Sequence, residues 1–131
     1  MKFLNTLTLL LVISVIGVGR VQAQNDVVNA VVESLTAGSG EAMANYFGDR
    51  VEITLFNQTH IYSATQARYA IRQFFSDYPS DNFTLLNTGS TGETSYILGT
   101  LITAKGNFKV NVHIRTAGNG GTIEQVRFDL R

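Results

Sequence analysis

Ten aspartates and glutamates, two histidines and five tyrosines supply most of the proton-transfer chemistry this 131-residue sequence has to offer. Cysteine is absent, which removes a thiol nucleophile, a thiolate metal ligand and thiol redox chemistry together. The densest grouping of polar side chains is NFKVNVHIRT, residues 107–116, where Lys109, Asn111, His113 and Arg115 alternate with Phe108, Val110, Val112 and Ile114. Strict alternation is the period of a half-buried strand, so the two sets leave opposite faces. The apolar set belongs to the core. Lys109, Asn111, His113 and Arg115 therefore face water or a second subunit and are candidates for a sheet-face interaction, unless a β-bulge reverses the parity.

Other acid–base candidates are sparse. His60 sits beside a turn, and two histidines without recognisable ligand spacing predict no metal site. Glu52 falls between Val51 and Ile53 and points outward. In TIEQVRFDLR, Glu124 shares parity with Val126, Phe128 and Leu130. It is the one carboxylate that burial would turn into a general base with a raised pKa. An exposed residue beside a glycine-rich turn is the simpler reading of Glu124, and no catalytic residue is assigned with it. Phe74, Tyr78, Tyr96, Phe108 and Val110 are the ligand-pocket candidates: aromatic bodies with two hydroxyl handles, equally able to serve as plain core. Gly38-Ser39-Gly40 lacks the Lys-Ser/Thr of a phosphate loop and reads as a helix-to-helix turn. No nucleophile elbow or catalytic-triad order is visible, and no cofactor is implied.

The elements that must position these residues follow from periodicity. DVVNAVVESLTAG sets Val27, Val28, Ala30, Val31 and Leu35 on one helical stripe ended by Gly38. A second helix is predicted over 40–47, with Ser39 as N-cap and Glu41 in the first turn. Residues 50–56 alternate as a strand, Asn57-Gln58-Thr59 turns, and 60–62 returns. SATQARYAIRQFFSDY is the strongest helix: Ser63 and Gln66 form a capping box, and Ala67, Ala70, Ile71, Phe74 and Tyr78 make its apolar stripe before Pro79. Strands follow over 81–88 and 95–103, with a turn at Gly89–Gly92, then the 107–116 strand. A turn at Ala117–Gly121 leads to the last strand. Asn57-Gln58-Thr59 and Asn82-Phe83-Thr84 match a glycosylation sequon and are read as chance.

The first residues follow a different plan. Lys2, an apolar run from Leu7 to Val18, and Val21-Gln22-Ala23 form the layout of a secretory signal peptide, residues 1–23, cut after Ala23. Arg20 interrupts the run too early for a spanning helix, which needs about 20 apolar residues. Residues 24–131 then form one domain. It carries two more acids than bases, which offers no footprint for nucleic acid and no basis for membrane insertion after cleavage. Export without cysteine suggests a bacterial periplasmic or secreted protein held together by packing alone.

Helices first and a meander of strands last predict an α+β domain, helices on one face of a mostly antiparallel sheet. Element order, the capped helix over 63–78 and the FKVNVHIR…IEQVRF hairpin resemble the cone-shaped nuclear transport factor 2-like (cystatin-like) superfamily. The Phe74-Phe75-Ser76-Asp77-Tyr78 ending and the closing hairpin are similar to those of the exported bacterial family called domain of unknown function 4783. That resemblance implies no assigned activity and no functional residues to carry over. The superfamily hosts isomerases, dehydratases, cyclases and pure binding modules, often as homodimers, so fold alone does not choose among them. The leading expectation is an exported domain that binds a small apolar ligand or another protein without catalytic machinery. A small isomerase, dehydratase or hydrolase using a pocket carboxylate, and a homodimer acting through its sheet face, are the alternatives. A homodimer through the exposed sheet is the expected assembly.

Overall fold

The structure, a computed structural model, describes residues 26–116 and 120–131. The expected signal peptide and residues 117–119 of the glycine-rich turn lie outside them. Helix α1 covers residues 26–37, α2 Gly40–Ala44 and α3 Ala64–Asp77, and the strands are β1 Phe47–Leu55, β2 Gln58–Ser63, β3 Ser80–Thr91, β4 Thr94–Thr103, β5 Gly106–Arg115 and β6 Thr122–Leu130. The strands form one sheet in the order β2-β1-β6-β5-β4-β3. Every pairing is antiparallel except β1 with β6. Helices on one face of a mostly antiparallel sheet are the α+β arrangement the patterning predicts.

Val27, Val31 and Leu35, four residues apart, are the buried line of α1. Gly38 at φ +66° stops the helix, its N–H bonding to Leu35 O, and Ser39 N–H returns to Ser34 O. A Cβ at Gly38 would also sit 2.9 Å from that of Ser80, so strain and space both demand glycine there. Ser39 then caps α2, accepting from Ala42 N–H at 3.1 Å. α2 ends at Ala44, earlier than predicted, because Ile123 N–H captures Tyr46 O at 2.6 Å and Phe47 enters the ladder beside β6. Arg68 and Arg72 on α3 both reach Glu41, tying the short helix down.

The capping box of α3 is complete: Gln66 N–H donates to Ser63 Oγ and Ser63 N–H to Gln66 Oε1. Ala67, Ile71 and Phe74 bury its stripe, and Phe75 joins them. The β1–β2 turn is Phe56-Asn57, at φ +52° and +64°, one residue earlier than predicted, so β2 already begins at Gln58. A two-residue turn with both φ positive matches the twist of its strands. Phenylalanine is a strained choice for it. The β3–β4 turn is likewise shorter than predicted. It is Gly92-Glu93, because Ser90–Ser95 (Oγ to Oγ 3.0 Å) and Thr91–Thr94 extend the ladder beyond Gly89.

The inner sheet face carries Val51, Ile53, Ile97, Leu101, Phe108, Val110, Val112, Ile114, Val126 and Phe128, all essentially inaccessible. Over it, the Phe74 ring lies 4.3 Å from Phe128 and 5.2 Å from Phe108, centroid to centroid. Among the described residues, the interior of the cone around Phe108 and Phe128 is therefore filled with rings.

Candidate functional site

Between α3 and the β1–β2 hairpin runs an open groove of about 550 Å³. Its floor is built from Leu55 of β1, Tyr62 of β2, and Phe74 and Tyr78 of the α3 stripe, with Phe56 of the β1–β2 turn standing over it. One wall is the flank of α3, where Gln66, Tyr69, Gln73 and Asp77 recur at spacings of three and four and therefore share a side. Five of the eleven lining residues are aromatic, against 10% of the chain, an enrichment that random surface would not give. Tyr69 is 70% exposed and Phe56 45%. Gln73 Nε2 donates to Asp77 Oδ1 at 3.2 Å, which orients both side chains along the wall. A second depression of about 410 Å³ adjoins the first across Leu55, Phe56 and Tyr62 and adds Gln58 and His60. His60 and Tyr62 lie on the inner side of β2 because their β1 partners, Ile53 and Val51, face inward.

Phe56 is held above this floor by its own ring, 5.6 Å from Tyr78 and 5.8 Å from Phe108. A left-handed phenylalanine persists only where the surroundings over-determine it, and such positions concentrate at binding sites.

The sequence-derived candidates divide. Phe74 and Tyr78 line the groove. Phe108 and Val110 are fully buried beneath it. Tyr96 is not with them: it pairs with Gly89 and His113 on the outer face, its hydroxyl 2.4 Å from where a Cβ on Gly89 would stand. Glu124 departs from its expected parity. The β5–β6 register passes from His113↔Gln125 to Ile114↔Ile123, leaving Glu124 as the extra residue of a bulge. Ile123 takes the inner position, while Glu124 stays outside with its side chain 44% exposed and accepts from Arg115 Nε at 2.6 Å. That hydrogen bond, then the attraction of the carboxylate, raises the Arg115 pKa. Glu124 is thus a surface ion-pair partner, not a base inside the cone. Lys109, Asn111, His113 and Arg115 occupy the outer face, where Arg127 Nε also meets Asp129 Oδ2 at 2.7 Å.

The residues that sequence reasoning missed are Phe56, Tyr62, Gln66, Tyr69 and Gln73. Their signal was present in Tyr69, an aromatic on α3 that lies off the buried stripe. Among the described residues no three His, Asp or Glu side chains converge as metal ligands, and no helix is long and apolar enough to cross a membrane.

The chain is similar to two DUF4783 family proteins of known structure. With that from Bacteroides ovatus it shares 28% identity over 78% of this chain and 93% of that one, TM-score 0.75. With that from Bacteroides fragilis it shares 29% identity over 78% and 96%, TM-score 0.74. A protein of unknown function with a cystatin-like fold from Nostoc punctiforme is similar in fold alone, at 10% identity over 84% and 90% and a TM-score of 0.62. No curated protein matches the chain. The fold is nuclear transport factor 2-like (cystatin-like). The model described as "Domain of unknown function (DUF4783)" matches residues 28–129, and the chain belongs to that family.

Proposed function

We propose that this is an exported, non-catalytic binding domain that holds a ligand with a ring-sized apolar face in the groove between α3 and the β1–β2 hairpin. The supporting observation is the groove itself, with rings left exposed where solvent alone would select against them. The pocket-carboxylate alternative cannot use Glu124, which lies outside the sheet paired with Arg115. The neutral probe N-phenyl-1-naphthylamine tests the reading, since its emission rises when it leaves water for an aromatic site. Emission should rise and saturate, and Tyr69→Ala, an exposed substitution with little cost to folding, should weaken binding roughly tenfold, or about 1.4 kcal/mol. Unchanged emission across the titration, with the backbone amides of residues 55–62 and 66–77 also unmoved by neutral oligosaccharides and by a decaproline peptide, would end the proposal.

A homodimer through the outer sheet face is the second reading, favoured by one observation. That face carries Lys109, Asn111, His113 and Arg115 beside the pairs Arg115–Glu124 and Arg127–Asp129, a surface of both charges that a second copy can complement. Light scattering at micromolar protein should give twice the chain mass, and the mass of a single chain would reject the dimer.

A further inference from the structure

We propose that the ligand of this groove is a neutral oligosaccharide, an inference that rests on the binding reading above. The chemistry of the two walls leads to it. A hydrocarbon ligand would satisfy the rings of Phe56, Tyr62 and Tyr78. It would also strip water from Gln66 Nε2, Gln73 Oε1 and Asp77 Oδ2, the atoms that the capping box and the Gln73–Asp77 bond leave free, while returning no hydrogen bond, and burying such groups unpaired is costly. A sugar ring meets both demands: its C–H face lies on an aromatic ring, and its hydroxyl edge both donates and accepts. The α3 wall is prepared for such an edge. Gln73 and Asp77 are already fixed on one another through Nε2 and Oδ1, leaving Gln73 Oε1 and Asp77 Oδ2 to accept from hydroxyls.

Charge narrows the class. Asp77 is the one charged side chain lining the groove among the described residues. Arg72, beyond Tyr69, faces Glu41 at 3.5 Å. An anionic ligand would meet this carboxylate within the groove, where the cation at the margin, Lys105, has its Nζ 5.8 Å from the centroid of the Tyr78 ring.

Shape sets the length. The two depressions, about 550 and 410 Å³, share Leu55, Phe56 and Tyr62, and the amides of Gln58, Gln66 and Gln73 are distributed along both. The groove is open rather than enclosed. It suits a chain of rings passing over the Phe56–Tyr62 ridge better than a single ring sealed from water. The left-handed backbone of Phe56 keeps the ridge raised between the two depressions.

An NMR titration of isotope-labelled protein tests this, using neutral hexasaccharides of glucose, xylose, mannose and N-acetylglucosamine. The other probes are an oligogalacturonate hexamer, a decaproline peptide and N-phenyl-1-naphthylamine. At least one neutral hexasaccharide should shift backbone amides over residues 55–62 and 66–77. It should bind about tenfold more tightly than its disaccharide, as expected when both depressions are engaged. Gln73→Ala and Tyr69→Ala should each weaken it roughly tenfold. If the naphthylamine shifts these amides and no neutral saccharide does at millimolar concentration, the saccharide is excluded and the binding reading stands. Shifts from decaproline alone would assign the groove to an extended peptide, and equal affinity for the anionic hexamer would overturn the neutral class. If no probe moves these amides, both readings fail together.

Discussion

Replacing Phe108 by alanine is expected to lower the free energy of unfolding by about 3–5 kcal/mol, read as a displaced urea midpoint with little change in slope. The ring is wholly inaccessible and is the meeting point of three others: Tyr78 at 5.1 Å, Phe74 at 5.2 Å and Phe56 at 5.8 Å, all steeply inclined to it. Truncation forfeits the burial of the ring, its edge-to-face contacts and the packing around the cavity left behind. Neighbours cannot collapse into the space, because Val110 and Val112 belong to the same fixed strand. No disulfide is available to compensate in a chain without cysteine. A domain of this size has a total stability of about 5–15 kcal/mol, so the variant would approach the unfolding threshold. The consequence reaches the groove. Phe56 holds its strained turn through Phe108 and Tyr78, so probe binding should weaken in Phe108→Ala even where the protein remains folded. Phe108→Leu should recover most of the stability. A loss below about 1 kcal/mol in Phe108→Ala would contradict this account of the filled cone.

The degree to which this architecture is readable from sequence differs by element for physical reasons. α3 and β5 are legible because one residue type after another repeats the same instruction. Ser63 and Gln66 cap the helix, a stripe at spacings of three and four drives it onto the sheet, and four apolar residues in β5 alternate without a break. The outward set of Lys109, Asn111, His113 and Arg115 follows from that alternation alone. Glu124 is illegible by the same rule, because alternation carries no signal for an inserted residue. The bulge exists through the pairing of β6 with β5, and a single-strand pattern cannot contain it.

The groove is half legible. Phe74 and Tyr78 stand on the α3 stripe, but stripes predict burial, and they predicted Phe108 and Val110 equally well. What separates a lining residue from a buried one is where the helix stops covering the sheet. The crossing of α3 over the β1–β2 edge sets this, not any local pattern. Phe56 was read as the end of a strand because phenylalanine seldom occupies a left-handed turn; tertiary ring contacts override that preference. Tyr96 erred in the other sense. Its neighbours Ile97 and Leu101 are buried, and it occupies the opposite face, over the glycine at position 89.

Gly40→Ala is expected to destabilise the protein by about 2 kcal/mol, although alanine favours a helix over glycine by roughly 1 kcal/mol. The sign is decided at the crossing of α2 and α3. A Cβ on Gly40 would stand 2.8 Å from Arg72 Cα, 2.9 Å from Arg72 N and 3.0 Å from Ile71 C. These are backbone atoms in the middle of a packed helix, not the movable end of a side chain, so relief requires the two helices to separate. α2 has five residues, too few to persist without its neighbours. It is held by the Ser39 cap, by Glu41 between Arg68 and Arg72, and by this close approach. Separation would therefore weaken the ion pairs as well as the packing. Gly120→Ala supplies the comparison, since a Cβ there meets nothing within 4 Å and the residue is exposed; it should leave the thermal midpoint nearly unchanged. Because α3 carries Gln66, Tyr69 and Gln73, a displaced α3 should also weaken binding in the groove on its opposite flank. A stabilised Gly40→Ala protein would mean that α3 yields at Arg72 without cost, and the rigid wall assigned to the groove would lose its physical basis.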